Sequence, residues 1–368
     1  MKISALKYLL EAGILCVLGI WLTACQFDTT LVDACAGQCD ADTPAAPADT
    51  PVPTSIPPAS GRIVFVSNRD GKGRLYLMNA DGSGQMPLTP GDAQDSTPRW
   101  SPDGSSIAFS STVDENTDIY VLELASGGLS RLTNDPAKDS APSWSLDGRH
   151  IAFESFRDGN WEIYTIDTDG TGLTRLTDDP AGDNSPLWSP RGEYIAFASN
   201  RSGNSDIYLV TPDGSSTSLL TNTAAPNSDP AWSPDGSRLA YRYWPSNTIA
   251  NICVVNVDGS GQDCVTDSPW ENGSPAWSPD GNSLAFRSQR GGSPGIDVVN
   301  TVDGSLKSLI TGVTPKGDPI WAPDGVRVAF QADSGGDMDI YEFIIPSNEL
   351  LQLTQAAGLD GEPVWRAP

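Results

Sequence analysis

Acidic side chains recur at fixed distances before a repeated tryptophan, and they are the residues best suited to binding chemistry. Aspartate stands five residues before that tryptophan at Asp95, Asp139, Asp183 and Asp360. An acid stands three residues before it at Asp229, Asp318 and Glu362. Carboxylates gathered at one opening concentrate negative potential and attract cations or basic peptides. We therefore predict an acidic binding site, with no cofactor unless these carboxylates hold Ca²⁺.

The same carboxylates have a second interpretation, in which they are neutralised inside the protein. A repeated turn position carries an arginine at Arg69, Arg157, Arg201 and Arg290. These arginines are candidates to pair with the aspartates, and aspartate side chains also commonly cap turns. The sequence leaves both possibilities open, an exposed acidic site and a set of internal ion pairs.

Aromatic residues stand where one repeat departs from the others. In that repeat the usual Ser-x-Arg-x-Gly turn is replaced by a segment containing Tyr243 and Trp244, and the next connection contains Trp270. Tyrosine and tryptophan are favoured as binding anchors because they offer large, rigid surfaces at a low entropic cost. We predict a candidate aromatic patch of Tyr243, Trp244 and Trp270, with packing between loops as the alternative.

The sequence contains little that supports catalysis. His150 is its only histidine, and it stands at a strand position where other repeats carry Ser106, Tyr194 or Arg238. No Ser-His-Asp or Cys-His set, and no Cys/His metal spacing, can be built around it. We predict that the protein is not an enzyme and has no metal site. A glycan-active enzyme that works with carboxylates alone is the least favoured alternative.

The repeated tryptophan marks a repeating unit of the chain. It falls at positions 100, 144, 188, 232, 277, 321 and 365, in steps of 44 or 45 residues, with proline two residues before each. Each unit has four short apolar runs, named a to d, with turn residues such as Asp103-Gly104 between them. This period is typical of a four-stranded β-propeller blade. Run a lies nearest the propeller axis, so we expect both groups of acids at the mouth of the central channel.

The two ends of the repeat region decide the number of blades. The region opens with runs b, c and d at residues 63–65, 75–77 and 87–89, and it closes with run a at residues 363–365. Six complete units lie between the ends, so the last run completes the first blade. We predict an all-β, seven-bladed propeller of four-stranded antiparallel blades. Six blades are the alternative, which leaves strands with unpaired edges.

Several motifs recur within the repeats. Trp-Ser-Pro-Asp-Gly begins at Trp100, Trp232 and Trp277, Ile-Ala-Phe begins at Ile107, Ile151 and Ile195, and Ser-Asn-Arg begins at Ser67 and Ser199. Over residues 61–368 these repeats resemble those of the TolB family of propellers, often called WD40-like. The resemblance implies the fold but leaves the function open, because that family includes envelope scaffolds, enzyme-associated domains and lyases. Its oligogalacturonate lyases rely on histidine-rich metal sites, which a chain with one histidine cannot form.

The N-terminal segment has the features of an export signal. Lys2 and Lys7 precede an apolar run of about a dozen residues, which is shorter than the roughly 20 that a membrane-spanning helix needs. The sequence Leu-Thr-Ala-Cys that ends at Cys25 resembles the bacterial lipobox. We predict a signal peptide at residues 1–24, a lipid on Cys25, and a disordered tether rich in Pro, Ala and Thr over residues 25–60.

Two local pairs are the simplest connectivity for the four cysteines other than Cys16 and Cys25. Cys253 and Cys264 occupy successive strand runs of one repeat, and an exported chain is free to oxidise them, so we predict a disulfide between them. Cys35 and Cys39 lie in the tether, where the sequence does not decide the pairing.

The net charge and the predicted export of the protein narrow the range of possible partners. The formal net charge is −25, which excludes nucleic acid because binding to phosphates requires a basic surface. We predict a monomeric, extracytoplasmic scaffold in a bacterial envelope that contacts the membrane through its N-terminal lipid and binds a protein or peptide, preferably a basic one. A carbohydrate-binding surface protein is the alternative, and it rests on the aromatic patch.

Overall fold

A computed structural model describes residues 61–309, 313–333 and 335–366. The predicted signal peptide, Cys25, Cys35, Cys39 and the tether lie outside this part of the chain. The described residues form seven antiparallel sheets and one 3₁₀ turn, Arg290–Gly292. Among the same residues, no helix has the length and apolar character required to cross a bilayer.

The sheets follow the chain as consecutive blades. Blade 1 contains β1 (Arg62–Ser67), β2 (Arg74–Asn79), β3 (Met86–Pro87) and the final strand β29 (Asp360–Trp365). Blade 2 contains β4 (Gln94–Trp100), β5 (Ser106–Val113), β6 (Asn116–Glu123) and β7 (Gly128–Arg131). Blade 3 contains β8 (Asp139–Trp144), β9 (His150–Ser155), β10 (Glu162–Asp167) and β11 (Thr174–Arg175). Blade 4 contains β12 (Asp183–Trp188), β13 (Ile195–Ser199), β14 (Asp206–Val210) and β15 (Thr217–Leu219).

The remaining three blades repeat this order. Blade 5 contains β16 (Asn227–Trp232), β17 (Arg238–Ser246), β18 (Ile249–Asn256) and β19 (Asp263–Cys264). Blade 6 contains β20 (Asn272–Trp277), β21 (Ser283–Ser288), β22 (Gly295–Asn300) and β23 (Leu306–Leu309). Blade 7 contains β24 (Thr314–Pro315), β25 (Ile320–Trp321), β26 (Arg327–Asp333), β27 (Met338–Ile344) and β28 (Glu349–Gln352), with its first strand divided in two.

The ring closes as the ends of the repeat region predict. β29 pairs antiparallel with β1, so that Trp365 lies opposite Ile63 and Asp360 lies opposite Ser67. The last strand therefore completes the first blade. The prediction of a seven-bladed propeller is confirmed, and the six-bladed alternative is wrong.

The core lies between neighbouring blades. Strand b of each blade contributes an aromatic side chain that is almost fully buried: Phe65, Phe109, Phe153, Phe197, Tyr241, Phe286 and Phe330. The repeated tryptophans add a polar contact, because the indole N–H donates to a backbone carbonyl of the preceding blade. Among the described residues five of them do so: Trp100, Trp144, Trp232, Trp277 and Trp321. Each tryptophan thus packs in the core, and in these five blades it also forms a hydrogen bond to the preceding blade.

Blade 5 contains a covalent link at its outer edge. Cys253 of β18 lies opposite Cys264 of β19, and the structure joins them in a disulfide. Cys253 is buried, while Cys264 is exposed on the short outermost strand. The bond holds that two-residue strand against its blade.

Blade 7 buries an acidic residue that other blades replace with an apolar or neutral one. Glu342 of β27 is buried, and its Oε1 lies 3.8 Å from Nε of Arg327, which also approaches Asp324 at 3.4 Å. Burial raises the pKa of Glu342 from 4.5 to about 7, Arg327 opposes that shift, and Asp324 adds to it. The folded state therefore holds this proton more tightly than the unfolded chain does.

Proton binding by Glu342 makes the free energy of unfolding depend on pH, and the raised pKa sets the sign of that dependence. The stability that protonated Glu342 provides is complete below about pH 4.5 and is lost by about pH 7, a change of about 3 kcal/mol in the free energy of unfolding. We expect Glu342→Gln to remove this loss and to exceed the parent in stability at pH 8, but not at pH 4.5. Urea unfolding at both pH values tests this, with the exposed Glu349→Gln as control. Equal pH slopes for parent and Glu342→Gln would contradict it.

Candidate functional site at the channel mouth

An irregularity in the innermost strand controls which side chains reach the channel. In six blades the pairing of strand a with strand b shifts register just before the tryptophan, because strand a contains one extra residue. The residue three places before the tryptophan then takes a positive φ, at Thr97, Ala141, Ser185, Asp229, Ser274 and Glu362. Non-glycine residues reach this conformation at a cost of roughly 1–2 kcal/mol. Six blades share the same strained β-bulge.

The bulge directs this residue toward the axis of the ring. Five of these residues line a central cavity of about 320 Å³, namely Thr97, Ala141, Ser185, Asp229 and Ser274, and Asp318 lines it from the equivalent position of blade 7, which lacks the bulge. Glu362 lines an adjoining cavity together with Thr97 and Asp318. Asp229, Asp318 and Glu362 are all exposed. The structure thus brings these three predicted carboxylates together in the channel.

The aspartates five places before the tryptophan lie elsewhere. Asp95, Asp139, Asp183 and Asp360 are buried, and three of them pair with the arginine of the b-to-c turn in the same blade. The Arg69–Asp360 and Arg157–Asp139 distances are 2.7 and 3.0 Å, and Arg201 contacts Asp183. The expectation that these four residues open onto the channel is therefore incorrect, because the bulge separates them from the channel-facing position.

Asp95 is held without an arginine. Its carboxylate accepts hydrogen bonds from Thr89 Oγ1 at 2.5 Å and Ser111 Oγ at 2.6 Å. Burial raises the pKa of Asp95, while these hydroxyl groups oppose the shift. Burial also raises the pKa of Asp183, opposed by its hydrogen bond to Arg201. These four carboxylates are therefore held by internal partners and are not exposed to the channel.

The arginines of these turns have a second packing role. The guanidinium carbon of Arg157 lies 4.7 Å from the ring centroid of Tyr164, and Arg201 and Arg69 stack similarly on Tyr208 and Tyr76. Arg290 differs, since it pairs with Asp297 of strand c at 3.0 Å. Three blades therefore share a module of buried aspartate, arginine and tyrosine.

The carboxylates in and around the channel also join neighbouring blades. Glu362 accepts the backbone N–H of Thr97 at 2.5 Å, and Asp229 accepts that of Ser274 at 3.4 Å. Glu154, which our reading of the sequence missed, accepts the N–H of Ser185 at 2.8 Å. Each bond crosses to the bulge of the next blade, so these acids support the channel wall as well as charge it.

Basic side chains that the sequence analysis missed lie at the same opening. Arg99 lines the channel beside Glu362 and Asp318, and its exposed guanidinium offsets part of their negative charge. Arg242 and Arg287 follow the buried aromatic residue of strand b and line a cleft with Lys316. The signal that could have found the pair was position, one residue after the repeated aromatic. The mouth is thus acidic in one part and basic in another.

The predicted aromatic patch divides in the structure. Trp244 lies with its ring centroid 3.7 Å from the Arg242 guanidinium carbon and lines a groove of about 540 Å³ with Pro226 and Pro245. Trp270 is 37% exposed, whereas Tyr243 packs against the core cluster around Tyr241. Trp244 and Trp270 offer surface, and carbohydrate binding there stays a prediction.

Metal-binding geometry is absent from the described ranges. No group of three or more His, Cys, Asp or Glu side chains within residues 61–309, 313–333 and 335–366 is placed to hold an ion. Calcium binding stays a prediction. His150 Nδ1 lies 2.6 Å from Asp167 Oδ1, and the imidazole stacks on Trp188. The His150 side chain therefore contacts Asp167 of blade 3 and Trp188 of blade 4.

Solved structures with this fold come from several kinds of protein. TolB from Acinetobacter baumannii is 22% identical over 84% of this chain and 67% of that protein, with a TM-score of 0.59. An oligogalacturonate lyase in complex with manganese is 16% identical over 78% of this chain and 86% of the lyase, with a TM-score of 0.66. A Mycobacterium tuberculosis puromycin-hydrolyzing peptidase is 15% identical over 80% of this chain and 54% of the peptidase, with a TM-score of 0.65. These similarities establish the fold.

The prediction that the chain is not an enzyme is contradicted by these neighbours. The same propeller occurs in an oligogalacturonate lyase and in a puromycin-hydrolyzing peptidase, of which this chain spans about half the length. Enzymes are therefore among the proteins that share this architecture, and a single histidine does not exclude the class.

Sequence comparison establishes the family. No curated protein matches the chain. The family model of the TolB beta propeller domain matches residues 60–242 and 209–367, which include every blade. The motifs that suggested this family therefore identified it correctly, and the chain belongs to the TolB beta-propeller family.

Proposed function

We propose that this protein is a binding scaffold that holds a protein or peptide partner at the mouth of its central channel. The observation that carries the proposal is the division of its acids into two groups. The buried aspartates are occupied by internal partners, whereas Asp229, Asp318 and Glu362 remain exposed in the channel, where the described lining supplies one basic residue, Arg99, against three carboxylates. Exposed carboxylates enclosed by a protein wall focus a negative field, which favours a partner that presents a basic group.

The proposal includes the place where the protein acts, which is the bacterial cell envelope. The export signal and the lipobox-like sequence ending at Cys25 support a protein that is anchored by lipid on the outer side of the cytoplasmic membrane. Membership of the TolB propeller family is consistent with a role in the cell envelope. The propeller then faces envelope proteins as its available partners.

Capture from an envelope extract tests the proposal. We expect the full chain with a C-terminal affinity tag to retain a discrete protein, and Asp229→Asn/Asp318→Asn/Glu362→Gln to reduce that retention at least tenfold. The loss follows because the variant removes the charges that attract the partner. Retention by the parent should also fall as salt is raised from 0.05 to about 0.5 M, since screening weakens exposed charge pairs.

A matched variant controls for the change in net charge. Glu123→Gln/Glu193→Gln/Glu349→Gln removes three exposed acids near the a-to-b and c-to-d turns, at the opposite face of the ring. We expect it to retain the partner as the parent does. Equal loss in both variants would show a nonspecific charge effect, and retention by both would exclude the channel as the binding site.

A further inference from the structure

A cleft between the mouths of blades 5, 6 and 7 carries the opposite charge to the channel. It has a volume of about 170 Å³ and is lined by Arg242, Arg287 and Lys316, with one acid, Glu271. Gly273 forms part of its wall, where an added Cβ would lie 3.0 Å from the Arg242 guanidinium carbon. In a chain of net charge −25, three cations around one small cleft are a local exception.

The single acid in this cleft is already engaged. Glu271 Oε1 pairs with Arg242, and its Oε2 accepts a hydrogen bond from Gln289 at 3.1 Å. Arg242 is almost buried, and its Nε has no hydrogen-bond partner among the described atoms. The Arg242–Glu271 pair therefore contributes little net charge to the cleft.

The other two cations are not neutralised. Arg287 donates through Nη1 to the backbone oxygen of Lys316 at 2.9 Å, and neither residue forms a salt bridge with any described side chain. The pKa of Asp333 is lowered mainly by the N–H groups of Gly335 and Gly336, and Lys316 is the smallest of its causes. Asp333 therefore interacts only weakly with Lys316. Two positive charges thus remain available to an anionic group.

The cleft adjoins the acidic channel at two points. Arg242 Nη1 lies 3.6 Å from Asp229 Oδ2, and Asp229 lines the channel. Lys316 is followed two residues later by Asp318, which also lines the channel. One ligand that covers both regions must present a cation to the channel and an anion to the cleft.

We infer that the mouth recognises a mixed-charge peptide segment, whose basic residue enters the channel and whose carboxylate binds Arg287 and Lys316. This inference rests on the proposed function and names the partner's recognition element. A uniformly acidic polysaccharide or an anionic lipid surface matches only the cleft, since Asp229, Asp318 and Glu362 repel it. A purely basic peptide matches only the channel. A peptide carries both signs within a few residues and satisfies both regions.

Selection from a random twelve-residue peptide library displayed on phage, with the tagged full chain as bait, tests this inference. We expect enriched peptides to contain both a basic and an acidic residue. Arg287→Glu/Lys316→Glu should bind a selected peptide at least tenfold more weakly, and should regain affinity when the peptide's acid is replaced by lysine. Arg62→Glu/Arg149→Glu, which reverses two exposed charges at the opposite face, should stay within twofold of the parent.

The contrary outcomes separate this inference from the proposed function. If the peptide's acid can be replaced by glutamine without loss of affinity, or if Arg287→Glu/Lys316→Glu binds as the parent does, the inference fails while channel binding stands. If polygalacturonate or inorganic phosphate displaces the peptide from the parent through Arg287 and Lys316, the cleft serves purely anionic ligands and the inference fails. If the parent selects no peptide and captures no envelope protein, both proposals fail together.

Discussion

Arg157→Ala is expected to destabilise the propeller by about 3–5 kcal/mol, because it leaves a buried carboxylate without its partner. Asp139 has no measurable exposure, and Arg157 Nη2 lies 3.1 and 3.0 Å from its two oxygens. The substitution also removes the cation from the face of Tyr164, at 4.7 Å. The free energy of unfolding in urea at pH 7 measures the loss.

The neighbouring blades indicate how the loss can be reversed. Blade 5 places Asn227 where blade 3 has Asp139, and Asn227 Nδ2 donates to Asp206 at 2.8 Å and to Thr221 at 3.2 Å. In both cases the acceptors lie in the preceding blade, and the equivalent pair for residue 139 is Asp118 and Thr133 of blade 2. Arg157→Ala/Asp139→Asn should therefore recover at least half of the stability that Arg157→Ala loses.

A matched substitution separates this local loss from a general loss of positive charge. The exposed Arg149→Ala should change stability by less than about 0.5 kcal/mol. If the double variant is no more stable than Arg157→Ala, then Arg157 acts through packing on Tyr164, and the ion pair is not the main contribution.

The architecture was predictable because its signals repeat. The tryptophan period, the turn glycines and the unmatched runs at the two ends each recur or complete one another, so that a chance match at one place is corrected at six others. The pairing of β29 with β1 follows directly from the strand that is missing at the start. Even the arginine partners of Asp139, Asp183 and Asp360 were an open alternative, because arginine and aspartate recur at fixed positions.

The position of the acids could not be predicted from strand alternation. Positions three and five before the tryptophan differ by two residues, and in a regular strand they share a face. The bulge between strands a and b breaks this rule, so that Asp229 lines the channel and Asp183 is buried. The residue types do not predict the bulge, because its position holds Thr, Ala, Ser, Asp and Glu. Glycine is the residue that usually indicates a positive φ.

The basic cleft was missed for a different reason. Arg242 and Arg287 follow a core aromatic residue, where other blades carry Val66, Ser110 or Ala198, and no motif marks them. Their meeting with Lys316 depends on the contact of three consecutive blades. Such contacts between repeats belong to the closed ring, and a sequence that is read one repeat at a time does not show them.

Trp100→Ala is expected to cost about 3–5 kcal/mol and to loosen the closure of the ring. The Trp100 ring packs with Val64 and Leu75 of blade 1, and its Nε1 donates to the backbone oxygen of Val364 at 3.0 Å. Val364 lies in β29, the strand that joins the two ends of the repeat region. We therefore expect faster amide hydrogen exchange in β29 and β1 than in blade 4, together with a lower free energy of unfolding in urea.

Trp188 supplies the matched control for the hydrogen bond, since it packs in the equivalent place but its buried Nε1 has no partner in the described part of the chain. Phenylalanine preserves most of the ring's packing in both positions. Trp100→Phe should therefore destabilise the protein by about 1 kcal/mol more than Trp188→Phe, because only the first removes a hydrogen bond, the one from the indole N–H to the Val364 carbonyl. Equal losses of stability in the two phenylalanine variants would show that packing alone holds blades 1 and 2 together at Trp100. Unchanged hydrogen exchange in β29 of the Trp100→Ala protein would show that the pairing of β29 with β1 closes the ring without the tryptophan.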